Sequence, residues 1–121
     1  MKFRPFVIVA LAGAAALAAC KEDLEGFGVP FRIQTNATVR EVAVGTKFTI
    51  TAYTIDRNNR RIPGPLEATV PAGVTADSTV YVRELSETRF FLTANAPIAE
   101  PGGPMVISGH NLVDTTFIIV E

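Results

Sequence analysis

From residue 31 onward, apolar and polar side chains alternate in short runs, and no window there carries the 3.6-residue apolar repeat of an amphipathic helix. Phe31-Arg32-Ile33-Gln34 alternates, and residues 38–44 form a second extended run that stops at Gly45. Residues 47–55 are the clearest strand, with Phe48, Ile50 and Ala52 on one face and threonines between them. Tyr53 and Ile55 fall on the opposite face, which predicts either a bulge or a covered outer face. Asp56-Arg57-Asn58-Asn59-Arg60 reads as a polar hairpin loop, and Pro71-Ala72-Gly73 as a turn after a strand over 66–70. Further strands are expected over 79–85, 88–94, 105–110 and 115–120. Residues 96–104, with three prolines and two glycines, are expected to be a loop. Seven to eight short strands in about 90 residues predict an all-β, two-sheet sandwich with essentially no helix. Its expected core is Phe48, Ile50, Phe90, Leu92, Ile107 and Phe117; of the adjacent pair Phe90-Phe91, one ring must face outward.

The first twenty residues follow a different pattern. Lys2 and Arg4 precede sixteen uncharged residues, Pro5 to Cys20, with an apolar run at residues 6–11 and small residues crowding positions 14–19. Charge, apolar run and small-residue site in that order predict a secretory signal peptide. The stretch falls short of the roughly 20 residues that a membrane-spanning helix needs. Leu17-Ala18-Ala19-Cys20 resembles the lipobox of bacterial lipoproteins, an aliphatic residue and two small ones before a cysteine. The resemblance implies cleavage before Cys20, diacylglycerol on its sulfur, and usually a further acyl chain such as palmitate on the new amino terminus. Two or more chains anchor stably where one does not. Cys20 is the single cysteine, so an intramolecular disulfide is excluded, and a free thiol in an oxidising compartment would be a liability.

The expected organisation is therefore a signal peptide over 1–19, a lipidated Cys20 with a flexible tether through residue 30, and one domain over 31–121. A ten-residue tether reaches roughly 15–20 Å, which keeps the domain close to a bilayer. Lys21 stands where, by the lipoprotein resemblance, Asp would favour inner-membrane retention. In a host with two membranes this implies the outer one.

Composition narrows the function further. From residue 21 on, 42 of 101 residues are apolar, an ordinary globular fraction. Nine basic residues meet twelve acidic ones there, so there is no electrostatic footprint for nucleic acid and no polybasic tether. With one histidine and no thiol to spare, no metal cluster or cofactor site is expected. Ser108, His110 and Asp114 lie too close in sequence to converge as a catalytic triad, and no Gly-x-Ser-x-Gly elbow surrounds Ser108. Asp56, Asn58 and Asn59 lack the spacing of an EF-hand calcium loop. Asn36-Ala37-Thr38 fits the glycosylation pattern, which in a bacterial lipoprotein is a chance match. Arg57, Arg60 and Arg61 are the best local candidates for a contact surface, able to pair with phosphate or acidic glycan. The plainer reading is a solvated hairpin tip that also discourages edge pairing and tolerates substitution. An outward Phe beside Tyr53 or Tyr81 would make a sugar-stacking patch.

Val44-Gly45-Thr46 through Ile62-Pro63-Gly64 resembles the B strand, loop and C strand of bacterial Ig-like domains of the intimin/invasin type. Gly103 to Val120 is similar to their closing hairpin. The loop departs from that family in lacking the usual glycine, with Asn59 nearby instead, and residues 72–101 match nothing in it. The resemblance implies an Ig-like sandwich; a transthyretin-like or fibronectin-like sandwich fits the same strands. A non-catalytic, lipid-anchored envelope protein is expected, acting as a structural or protein-interaction module beside another envelope protein. The alternative is a module that binds carbohydrate or glycolipid.

Overall fold

The computed structural model describes residues 28–121, which form nine strands in two sheets with no helix among the described residues. In chain order these are β1 (Arg32–Thr35), β2 (Val39–Val42), β3 (Lys47–Ile55), β4 (Arg61–Ile62), β5 (Glu67–Thr69), β6 (Val74–Val82), β7 (Glu87–Ala94), β8 (Ile98–Gly109) and β9 (Leu112–Val120). One sheet runs β1-β3-β7-β6, with the two-residue β4 added beside the end of β3; the other runs β2-β9-β8-β5. Thr54 pairs with both Ile33 and Ile62, so β1 and β4 occupy opposite edges of β3. All pairings are antiparallel except β2 on β9, which is parallel. The architecture is the all-β, two-sheet sandwich that the alternation predicts, with nine strands rather than seven to eight because the two-residue β4 counts as one.

The core lies between the sheets. Ile33, Phe48, Ile50, Ala52, Phe90 and Leu92 face Leu66, Met105, Ile107, Ile118 and Val120 across it. Two hydroxyls that enter this layer are bonded across it: the buried Thr88 hydroxyl accepts the Leu66 N–H at 3.0 Å, and Thr116 donates to the Ala37 carbonyl at 3.0 Å. Such bonds tie the connection into β5 to β7 and the end of β1 to β9, so the two sheets are joined at defined heights.

Three expectations need correction. Phe117 is not in the core: it is 37% exposed, on the outer face of the second sheet. Residues 117–120 are all apolar, so alternation alone leaves the inward face of that strand undecided. The register decides it. Met105 is fully buried and pairs with Thr116, so Thr116, Ile118 and Val120 point inward while Phe117 sits between Val39 and Pro104 outside.

Residues 96–104 are not a loop throughout. Strand β8 starts at Ile98, and its pairing with β9 shifts between Ile98 and Gly103, where the extra residues bulge out. Pro104 survives in the strand because β5 pairs only with residues 106–108, leaving that side of Pro104 without a ladder partner to supply. Finally, the strand expected over 79–85 runs over Val74–Val82, and residues 83–86 turn into β7. A bulge at Asp77, between the pairs Ala76–Leu92 and Ser78–Phe91, breaks the alternation that would have revealed the earlier start.

Candidate functional site

Asp56 organises the hairpin loop between β3 and β4. Its N–H donates to the Arg60 carbonyl at 2.9 Å, and its carbonyl accepts the Asn59 N–H at 3.1 Å. That is a three-residue loop closed by a residue in the left-handed region, and Asn59 takes that conformation at φ 62°. Asparagine suits this position because its short polar side chain tolerates positive φ. The Asp56 carboxylate is buried and accepts three backbone N–H groups: Asn58 at 2.8 Å, Arg60 at 3.0 Å and Gly28 at 3.2 Å. Burial alone would raise its pKa; those three N–H groups and the charge of Arg60 outweigh it and hold the carboxyl below its ordinary value. Both carboxylate oxygens are thus occupied by backbone.

The three candidate arginines part company around this loop. The Arg57 guanidinium lies over the Phe31 ring, 5.7 Å from its centroid. Arg61 starts β4 opposite Ile55 and stacks on Tyr53 at 3.9 Å. It also donates to the Leu85 carbonyl at 2.8 Å and pairs with Glu87 at 3.0 Å. Glu87 takes a second guanidinium from Arg89 at 2.7 Å. The Arg89 hydrogen bond leads in holding the Glu87 carboxyl below its ordinary value, burial opposes it, and Arg61 adds to the lowering. Arg61 is therefore a fixed part of the sheet's outer face rather than a solvated tip residue. Arg60 is exposed and lends its charge to Asp56.

No bulge interrupts β3, so the outer-face residues Tyr53 and Ile55 are covered instead, Tyr53 by Arg61 and Ile55 to 2% exposure. Phe90 points inward and Phe91 outward, as the strand period requires. Phe91 lines a shallow cleft of about 460 Å³ with Lys47, Thr49, Asp77 and Ser78. The bulge places Asp77 beside Thr93, whose hydroxyl donates to its carboxylate. Tyr81 is not beside that ring: it pairs with Thr88, and its hydroxyl accepts the Gly64 N–H at 2.8 Å. Nor is Tyr53, which lies four residues along β3 from Thr49, the partner of Phe91.

The fold of this chain matches solved structures of the S-layer protein SbsC. The crystal structure of its domains 4 and 5 aligns at TM-score 0.63 with 19% identity, over 76% of this chain and 52% of that one. Domains 5–6 align at 0.65, with 19% identity over 77% and 44%, and the longer rSbsC(31-844) at 0.64, with 19% identity over 77% and 13%. The chain thus spans about half the length of those two-domain structures. At this identity the likeness is one of fold. No protein-family model matches the sequence, and no curated protein matches it.

Ser108, His110 and Asp114 do not converge. Ser108 pairs with Val113 and Asp114 with Ile107, so their side chains leave opposite faces of the sheet. His110 and Asn111 form the two-residue turn between β8 and β9, both with positive φ (53° and 62°). The His110 ring packs so closely on Gly64 that a Cβ there would lie 2.9 Å from its Cε1 and Nε2. Asn36 uses its side-chain oxygen to accept the Thr51 N–H at 3.1 Å. Among the described residues no group of three or more His, Cys, Asp or Glu side chains is placed to hold a metal. Cys20 and the lipobox lie outside the described residues.

Proposed function

We propose that the chain is a lipid-anchored, non-catalytic module of the cell envelope, tethered through Cys20 and serving a structural or protein-interaction role. The observation that supports it is the fold: three quarters of the chain aligns with domains of a surface-layer protein. The lipobox supplies the anchor and the export signal. In this reading the protein faces another envelope protein, and in a two-membrane host it sits at the outer membrane. Mass spectrometry of the purified chain tests the anchor: acyl groups on Cys20, lost in Cys20→Ser together with membrane retention, are the expected result. An unacylated Cys20 in a protein retained at the membrane overturns it. Crosslinking in intact cells should capture one defined envelope protein, equally well in high salt.

A second reading has one observation in its favour. The cleft beside Phe91 joins an outward aromatic ring to a carboxylate, an ammonium and two hydroxyls, the kinds of group that receive a sugar's apolar face and its hydroxyls. Titration with envelope polysaccharide fragments, against Phe91→Ala, separates this reading from the first.

A further inference from the structure

The rim of the five-stranded sheet where the described chain begins sets exposed arginines beside exposed apolar side chains. Gly28 is fixed there by its bond to Asp56, and the Phe31 N–H donates to the Ile55 carbonyl at 2.9 Å. Arg57 and Arg60 project from the adjoining loop, Arg32 opens β1, and Arg83 lies in the turn between β6 and β7, all four exposed. Between them stand exposed Val29, Phe31 and Leu85. The acidic groups on this sheet's rim are Glu84 in the same turn and the two carboxylates already bonded, Asp56 to backbone and Glu87 to Arg61 and Arg89. The facing sheet adds Glu67 and Asp114 at the same end, against six arginines in all, Arg32, Arg57, Arg60, Arg61, Arg83 and Arg89. The opposite end of the sandwich reverses the sign, carrying Glu41, Asp77, Glu100 and Glu121 against Arg40 and Lys47. A domain that is net acidic is therefore polarised along its strands.

We infer that this arginine rim rests on the bilayer and takes up anionic phospholipid headgroups, with Val29, Phe31 and Leu85 against the interface. The inference rests on the anchored reading above. Two arguments select this occupant. Seven residues lie between Cys20 and Gly28, and the eight steps that join them span at most about 28 Å even when fully extended. Strand β3 alone is nine residues, about 30 Å long, so a lipid on Cys20 holds the arginine rim within about 28 Å of the membrane while the acidic end can stand a strand's length farther off. The second is charge. Each arginine close to an anionic surface strengthens binding by about fivefold, so Arg57, Arg60 and Arg83 together contribute about a hundredfold at low salt. The acidic end would be repelled by the same surface. Arg57 held over Phe31 presents charge and apolar ring as one unit, the pairing that an interface of headgroup and acyl chain accepts.

The test uses the full chain as processed and purified, reconstituted in vesicles of phosphatidylcholine alone or mixed equally with phosphatidylglycerol. Thiol-reactive donor dyes are placed at Asn58→Cys on the rim or at Ala99→Cys on the far end, with a headgroup-labelled acceptor lipid. In the mixed vesicles transfer from position 58 should exceed that from position 99 severalfold. The excess should shrink in phosphatidylcholine, in high salt, and in Arg57→Ser/Arg60→Ser/Arg83→Ser. Mass spectrometry of the same samples reads the anchor separately. An acylated chain whose two positions transfer equally, or whose preference ignores the lipid charge and the triple substitution, overturns the orientation and leaves the anchor standing. A chain without acyl groups overturns the anchor and the orientation with it.

Discussion

Phe90 and Phe91 are neighbours in sequence and opposites in the fold, so truncating each in turn tests the whole sandwich register. Phe90 is 2% exposed, pairs with Ile50 across the ladder and belongs to the central cluster. Phe90→Ala removes the transfer free energy of the ring and leaves a cavity that rigid neighbours fill poorly, a loss of about 3–5 kcal/mol. Phe91→Ala removes a partly buried ring from an open cleft. With no enclosed cavity left behind and less than the whole ring's area to lose, that change costs roughly 1 kcal/mol. A domain of this length has about 5–14 kcal/mol in total, and 1 kcal/mol moves its midpoint by about 4–8 °C. Phe90→Ala should therefore melt at least about 12 °C below the parent, and Phe91→Ala within about 8 °C of it, followed by circular dichroism in the far ultraviolet. If the two variants melt together, or Phe91→Ala is the less stable, the faces of β7 are assigned the wrong way round and the core with them.

Acid should destabilise the domain through two carboxylates. Asp56 and Glu87 both titrate below their ordinary values when folded, so the stability they contribute is complete above their unfolded pKa values, near 4, and is lost as pH falls through the lower folded ones. The midpoint should be level above about pH 5 and fall below pH 4, and Asp56→Asn combined with Glu87→Gln should flatten that fall, as thermal melts across pH will read. Asn59→Gly should be neutral or slightly stabilising, whereas Asn59→Ala, forced to positive φ, should lose about 1 kcal/mol in urea titration. Of the loop arginines, Arg57→Ser should change stability by less than about 0.5 kcal/mol. Arg61→Ser should cost about 1 kcal/mol, because it removes the stack on Tyr53 as well as one partner of Glu87.

What was legible in the sequence follows from which signals are local. Lys47–Ile55 was readable to the residue, because its apolar residues alternate cleanly and a polar loop ends it. The turn at residues 71–73 was equally plain, since Pro and Gly stand together. The errors sit where alternation is suspended. A bulge at Asp77 and another between Ile98 and Gly103 each shift the phase by extra residues, and no local pattern announces them. In Phe117-Ile118-Ile119-Val120 every residue is apolar, so the inward set is chosen by the partner strand. Ile119 shows how the outer face then copes: it points away from the core yet is buried, because the chain at Gly102 passes close over it.

The arginine loop divides along the same line. Once Asp56 and Asn59 are recognised as closing a three-residue loop, Arg61 must fall opposite Ile55 and so on the face of Tyr53. That much is sequence-local. Its pairing with Glu87, twenty-six residues on, depends on β7 lying beside β3 and is visible only in three dimensions. The same holds for the rim as a whole. Arg32, Arg57 and Arg83 are scattered over fifty residues and look like ordinary surface charge on a net-acidic chain. Antiparallel pairing of β1, β3, β6 and β7 brings the start of one strand, the end of the next and the turn between the last two to one edge. Charge sorted in this way cannot come from composition, and in a strand-rich fold it has to be sought at the ends of the sheet.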